Sequence, residues 1–409
     1  MTSHPRHRAL GWGRHQLAIP GPSVMPDRVL AAMATPMPNI YAGDLVEVSN
    51  RCLERLPPIA RTDGHVFVTV GNGHGGWQMA LANTLSRGDT VLVAESGRFA
   101  AAWGQMAAIG GLEIETLPGT DRDPVDPDAL RDRLAADTGG RIRAVLAVQT
   151  DTASSVRNDV AALRAALDDA GHDALLMIDC IASMGCDPYE MDAWGVDVTV
   201  AASQKGLMTP PGLAFVWAGP KAMAAHESAE LRDGYTDWTS RINSQAHYQL
   251  YAGTPPVSHL YALHEALELI AEEGGLDAVW ERHRVHAEAV WAAVDAWGSD
   301  GGRLTPNIAE PAQRSWAVTT VRCEGVDPDE IRARAEGLGL TLGLGIAAGG
   351  GPFGTSGTFR IGHMGHLNPP MLLGALATLD AVLGGMGVAE AGVGIAAASA
   401  SLAAHLSSD

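Results

Sequence analysis

The chain has 409 residues, 46% hydrophobic and 18% charged, a globular balance with enough length to bury two or three cores. A formal charge of -19 argues against nucleic-acid or anionic-membrane binding through a general field, so any anionic ligand must be met by local arginines. Four cysteines, Cys52, Cys180, Cys186 and Cys323, form no CxxC pair and no disulfide framework, which gives no sign of a metal site and fits a reducing cytoplasm.

In chain order, residues 1–20 carry histidines and arginines but no apolar run, so they read as an N-terminal arm without a signal peptide. Short apolar runs then recur between helical stretches, at residues 65–70, 90–94, 143–148, 174–178, 196–201 and 213–218. Such alternation predicts an α/β fold with parallel strands and crossover helices covering both faces of the sheet. From Ser258 the pattern changes. Leu260, Leu263, Leu267 and Ile270 stand at helical spacing and predict a long connector leaving the sheet. Strand-like residues 316–321 and 359–361 mixed with helices then predict a smaller α+β domain. The expected division is an arm (1–20), a large domain (21–262), a small domain (263–385) and a C-terminal tail or helix (386–409). Residues 391–406 bear no formal charge, yet are too few and too weakly apolar to span a membrane.

Three places carry chemistry. After the first strand, Gly71-Asn72-Gly73-His74-Gly75-Gly76 is literally GxGxxG, and Glu95 follows about twenty residues on, as in a dinucleotide-binding unit. That pattern supports a nicotinamide oxidoreductase. The same backbone also cradles a single phosphate at a helix N-terminus, and Asn72 and His74 would add donors that a dinucleotide does not need. The fourth apolar run ends in Asp179, where a carboxylate faces the ligand crevice of an open parallel sheet. A pyridine nitrogen kept protonated by a carboxylate accepts electrons from a carbanion, which is pyridoxal-phosphate chemistry. Lastly, Ser203-Gln204-Lys205 precedes the rigid Thr209-Pro210-Pro211-Gly212, and no other charge falls between Asp197 and Lys221. Desolvation there favours the free amine that attacks aldehydes, unless the side chain escapes to solvent.

Together these residues resemble the class V aminotransferases of the pyridoxal-phosphate fold type I group, most of all the alanine–glyoxylate and serine–glyoxylate aminotransferases. The resemblance runs from Ile19-Pro20-Gly21-Pro22-Ser23 to Arg360-Ile361-Gly362-His363-Met364-Gly365. It implies a fold type I large domain with a mostly parallel seven-stranded sheet and a smaller C-terminal domain, with pyridoxal 5'-phosphate as cofactor and no metal. It makes Lys205 the Schiff-base lysine and Asp179 the partner of the pyridine nitrogen. Asn72, Gly73 and His74 match the phosphate loop, and Gln204 a phosphate-binding glutamine. Phe99 matches the aromatic that stacks on the ring, and Thr152 the hydroxyl residue at the ring oxygen. Tyr251 and Thr254 match phosphate ligands donated by the neighbouring subunit of a homodimer with shared sites, whose N-terminal arm would wrap the partner. Arg360 matches the clamp on the substrate carboxylate, where a bidentate pair supplies charge and orientation.

Departures bear on the substrate. The family's Ser-Thr-Gly turn is here Ala153-Ser154-Ser155, the glycine-rich stretch from Gly343 to Gly357 is long enough for a lid or a hairpin, and Tyr41 falls where relatives reach a partner's site. Tyr41 is therefore expected at the substrate or on a plain surface. The implied reaction is ping-pong transfer of an amino group from a small amino acid, alanine or serine in type, to glyoxylate or a similar 2-oxo acid. Pyridoxamine with pyruvate, or ureidoglycine with glyoxylate, are the alternative pairs. A cysteine desulfurase would need a mobile cysteine, and Cys180 beside Asp179 reads as packing.

Overall fold

Central strands read as unbroken apolar runs because both of their faces are buried, as the computed structural model shows; it describes residues 10–299, 301–346 and 357–407. The strands are β1 (Gln16–Ala18), β2 (His65–Gly71), β3 (Thr90–Ala94), β4 (Glu113–Leu117), β5 (Ile142–Val148), β6 (Leu175–Asp179), β7 (Val198–Ala202), β8 (Gly212–Ala218), β9 (Leu304–Pro306), β10 (Val318–Cys323), β11 (Leu340–Leu344) and β12 (Thr358–Gly362). β2 to β8 form a seven-stranded sheet in the order β2-β8-β7-β6-β5-β3-β4. β8 runs antiparallel to both neighbours, and the other pairings are parallel.

Period-two alternation sends successive side chains to opposite cores. Val145, Ala147, Leu176, Ile178 and Ala201 join one core, closed by the helices Asp44–Ile59, Val160–Asp169 and Val257–Glu272. Ala144, Leu146, Val148, Met177 and Val200 join the other, closed by the helices Gly73–Thr84 and Arg98–Ile109. β4 is not evident as an apolar run because it is an edge strand reading Glu-Ile-Glu-Thr-Leu, with only Leu117 buried. In this sheet the loops after β2, β3, β5, β6 and β7 share the C-terminal edge, where open α/β sheets bind ligands.

The second sheet has the order β1-β11-β12-β10-β9 and packs on the helices Leu276–Gly298, Pro328–Glu336, Pro369–Gly385 and Val393–Leu406. Two details differ from a division by sequence, and the C-terminal segment is a packed helix. Residues 16–18 of the expected arm pair with β11 as an edge strand of this second sheet. A boundary between residues 262 and 263 falls inside the helix Val257–Glu272, and the chain turns only at Gly274 and Gly275, both at positive φ. The uncharged tail helix Val393–Leu406 is packed on the helix Leu276–Gly298: a Cβ on Gly394 would lie 2.1 Å from Trp297 Nε1. Among the described residues no helix is long and apolar enough to cross a membrane. Gly343 and Leu344 belong to β11, and residues 347–356 of the expected lid lie outside the described residues.

Candidate active site

Eight of the twelve expected site residues meet at the C-terminal edge of the large sheet. Asn72, Gly73, His74, Phe99, Thr152, Asp179, Gln204 and Lys205 line one cavity of about 170 Å³, together with Trp77 and Ile181. They come from the loops after β2, β3, β5, β6 and β7, so parallel strands deliver them to one place.

Lys205 follows β7 and donates from Nζ to the carbonyl of Pro20. The chain wraps it closely, because a Cβ on Gly21 (φ +87) would lie 2.5 Å from Lys205 Cδ. Burial, and next the charge of Arg360, lower its pKa to about 8, against the pull of Asp179. Without a guanidinium nearby and a wall around it, this amine would be a surface ammonium.

Asp179 closes β6 and is buried. Its Oδ2 accepts the indole N–H of Trp77 at 3.0 Å and its Oδ1 the amide of Ile181 at 2.6 Å. Both donors are neutral, and burial raises its pKa to about 7. Trp77 escaped sequence reasoning. The available signal is its position on the helix Gly73–Thr84, four residues from Gly73 and therefore on the same helix face.

In the same lining, Asn72 is the N-cap of that helix, and its Oδ1 accepts the amide of His74 at 3.1 Å. The His74 ring lies tilted on Trp77 at 4.5 Å, and burial lowers its pKa. Gly73 has no room for a side chain, since a Cβ would lie 2.2 Å from Ile181 Cδ1. Gln204 Oε1 is buried with no hydrogen-bond partner among the described residues. A buried carboxylate held by neutral donors and a capped helix start in one cavity fit a protonated pyridine carrying a phosphate.

Four expected residues lie outside the cavity lining. Arg360 is central in the second sheet, buried, with Nε donating to Leu344 O and Nη1 to Thr152 O, each at 2.8 Å. Burial lowers its pKa to about 10, opposed by Asp151. The Thr152 carbonyl thus ties Arg360 to the cavity. Tyr251 is 2% exposed in the core of its own chain, its hydroxyl 2.5 Å from Ser49 Oγ. Thr254 is exposed. Tyr41 is 71% exposed and meets Tyr248 edge-on at 6.2 Å.

Topology decides against the dinucleotide reading. In a dinucleotide fold the strand before the glycines lies centrally, near the strand that bears the ribose-binding acid. Here β2 is an edge strand, separated from β3 and its Glu95 by β8, β7, β6 and β5.

Residues 60–352 match the family Aminotransferase class-V, and the chain belongs to that family of enzymes. It is 37% identical to the serine–glyoxylate aminotransferase of Methylorubrum extorquens over 91% of either chain. Identity is also 37% to the L-aspartate–glyoxylate aminotransferase of Paracoccus denitrificans, over 92% of either chain. Among solved structures, the pyridoxamine–pyruvate aminotransferase of Mesorhizobium loti superposes with a TM-score of 0.85 at 26% identity, covering 99% of this chain and 100% of that one. Fold and enzyme class therefore agree with the expectation from sequence.

Proposed function

We propose that the protein binds pyridoxal 5'-phosphate on Lys205 and moves an amino group from a small amino acid, alanine or serine in type, to glyoxylate or a similar 2-oxo acid. One observation carries this reading: a lysine amine whose pKa is lowered by burial and a buried carboxyl held by neutral donors share a single cavity. The bound cofactor supplies an aldehyde for covalent attachment and a ring that withdraws electrons. Asp179 keeps the ring nitrogen protonated, Phe99 covers a ring face and Thr152 meets the ring oxygen. Asn72, Gly73, His74 and Gln204 hold the phosphate. Arg360 would take the substrate carboxylate, and Lys205 would serve as the base and acid that move the proton at the α-carbon.

The test is a screen of serine, alanine, aspartate, pyridoxamine and ureidoglycine as donors, with glyoxylate and pyruvate as acceptors, followed as separate half-reactions. Serine or alanine with glyoxylate is the expected pair. Transfer from pyridoxamine or ureidoglycine alone would replace the proposed donor, and no transfer from any donor would sink the reading.

We also infer a homodimer. Met37 and Tyr41, with Tyr235, Ile242 and Tyr248, are exposed apolar side chains on two segments joined by the Tyr41–Tyr248 ring contact. A second copy would cover this face and bring Thr254 to the neighbouring phosphate; Tyr251 would join it only on leaving Ser49. Activity per subunit that stays constant on dilution into monomers would contradict shared sites. The four unpaired cysteines fit a reducing cytoplasm.

A further inference from the structure

The loop after β5 does more than present Thr152. Every backbone carbonyl from Thr152 to Ser155 accepts a hydrogen bond from the part of the chain that builds the second sheet and its flanks. Thr152 O receives Arg360 Nη1 at 2.8 Å, Ala153 O receives Thr320 Oγ1 at 3.0 Å, Ser154 O receives Asn307 Nδ2 at 3.0 Å and Ser155 O receives the amide of Ser315 at 3.1 Å. The hydroxyl of Ser155 accepts a further bond, from the Thr320 amide at 3.1 Å.

On its other side the loop is held by Asp151. That buried carboxylate accepts the amides of Phe99 at 2.7 Å and Ala153 at 2.9 Å. Gly97 makes the approach possible, because a Cβ there would lie 2.5 Å from Asp151 Cγ. Loops normally leave their carbonyls to water. Four in succession directed at a second domain align one domain on the other. Ser155 sharpens the point. It sits at φ +64, a left-handed conformation that suits glycine, in the turn where the resembling family has Ser-Thr-Gly. The serine carries that strain and provides the hydroxyl that bonds Thr320.

We propose that residues 151–155 form a clamp that fixes Arg360 on Thr152 while Asp151 holds Phe99, with Ser155 and Thr320 as positioning residues for carboxylate binding. The proposal rests on the role given to Arg360 above. Thr320→Val keeps the side-chain shape and removes the bond to Ala153; Thr320→Ser restores a hydroxyl. With cofactor-saturated protein, and glycolate as a non-reacting carboxylate, titration calorimetry should show the glycolate Kd rising about five-fold in Thr320→Val, the loss of one net hydrogen bond. Thr320→Ser should return it to within about two-fold of the parent by the same relation. Affinity of the cofactor-free protein for pyridoxal phosphate should not change, and amide exchange at Ser315 should quicken in Thr320→Val. Ser155→Gly provides a second route, since it relieves the positive φ while removing the hydroxyl, and should weaken glycolate without loss of thermal stability. Arg360→Leu separates the two claims. If Arg360→Leu leaves glycolate binding intact, the carboxylate role of Arg360 is wrong. If it abolishes binding while Thr320→Val and Ser155→Gly leave the Kd unmoved, the clamp alone is overturned.

Discussion

Lys205 and Asp179 are brought toward each other in acidity by the same burial, which takes the ammonium down to about 8 and the carboxyl up to about 7. The sign for Lys205 follows directly. Below pH 8 the amine is mostly protonated, so capture of pyridoxal phosphate by the cofactor-free protein should slow about ten-fold per pH unit on going down, and level off above pH 8. Arg360 contributes to that depression, so Arg360→Leu should move the inflection upward. Stopped-flow rates across pH 6 to 10, about the span that brackets the shifted amine, read both effects. A parent protein with its inflection near the ordinary lysine value would contradict the environment described here. Lys205→Ala should lose the visible band that borohydride bleaches in the cofactor-loaded parent. At this scale much was legible in sequence: the lysine from its lack of charged neighbours, the aspartate from its place at a strand end. Trp77, which donates to Asp179 across 102 residues, was not, because an indole in a helix reads as ordinary core.

Among the elements, β12 joins three parts of the molecule. It carries Arg360, pairs with β10 and β11, and lies against the segment that meets Lys205. Gly362 allows this contact, since a Cβ there would lie 2.1 Å from Ile19 O and 2.7 Å from Pro20 N, both backbone atoms. Gly362→Ala should therefore push residues 19 and 20 off the strand. It should cost about 1–3 kcal/mol in urea unfolding, the range for overpacking a close contact. It should also weaken cofactor capture, because the Pro20 carbonyl faces Lys205 Nζ. Unchanged stability with unchanged capture would show that the segment is not held by β12. The helix Gly73–Thr84 is the simpler case: Asn72 is both its cap and a lining residue, so one residue serves local structure and site.

For the whole molecule, buried histidines between the helix Leu276–Gly298 and residues 363–365 couple stability to pH. His283 accepts the Gly365 amide at 3.0 Å, and His363 is bonded to Trp316 O and Thr319 Oγ1, each at 2.9 Å. Burial lowers His363 to about 3 and His286 to about 4, with Arg282 adding to the effect on His286, and His283 goes down for the same reasons. A histidine depressed in the folded state contributes stability above its unfolded value, near 6.5, that is lost as pH falls toward the folded one. Asp151, Asp179 and Asp187 are raised by burial and act in the opposite sense, so the histidine share is read as a difference. The stability of the parent relative to His286→Gln should decline by about 1.4 kcal/mol per pH unit between roughly pH 6.5 and 4. Urea unfolding at several pH values measures this, and a pH-independent difference would refute it.

The chain by itself determined the central strands, because two-sided burial writes itself as short apolar runs, and it determined which residues end those strands. Lys205, Asp179 and the loop at Asn72 to His74 were legible because each lies at or just past the end of its strand in sequence. The tertiary structure alone decided what depends on remote pairings. It set β2 at the edge of the sheet, which removes the dinucleotide reading of GxGxxG. It joined residues 16–18 to β11, buried Tyr251 against Ser49, and brought Arg360 to Thr152 across 208 positions. Local pattern records which face a residue buries, but the choice of neighbour is made only when distant segments close on one another.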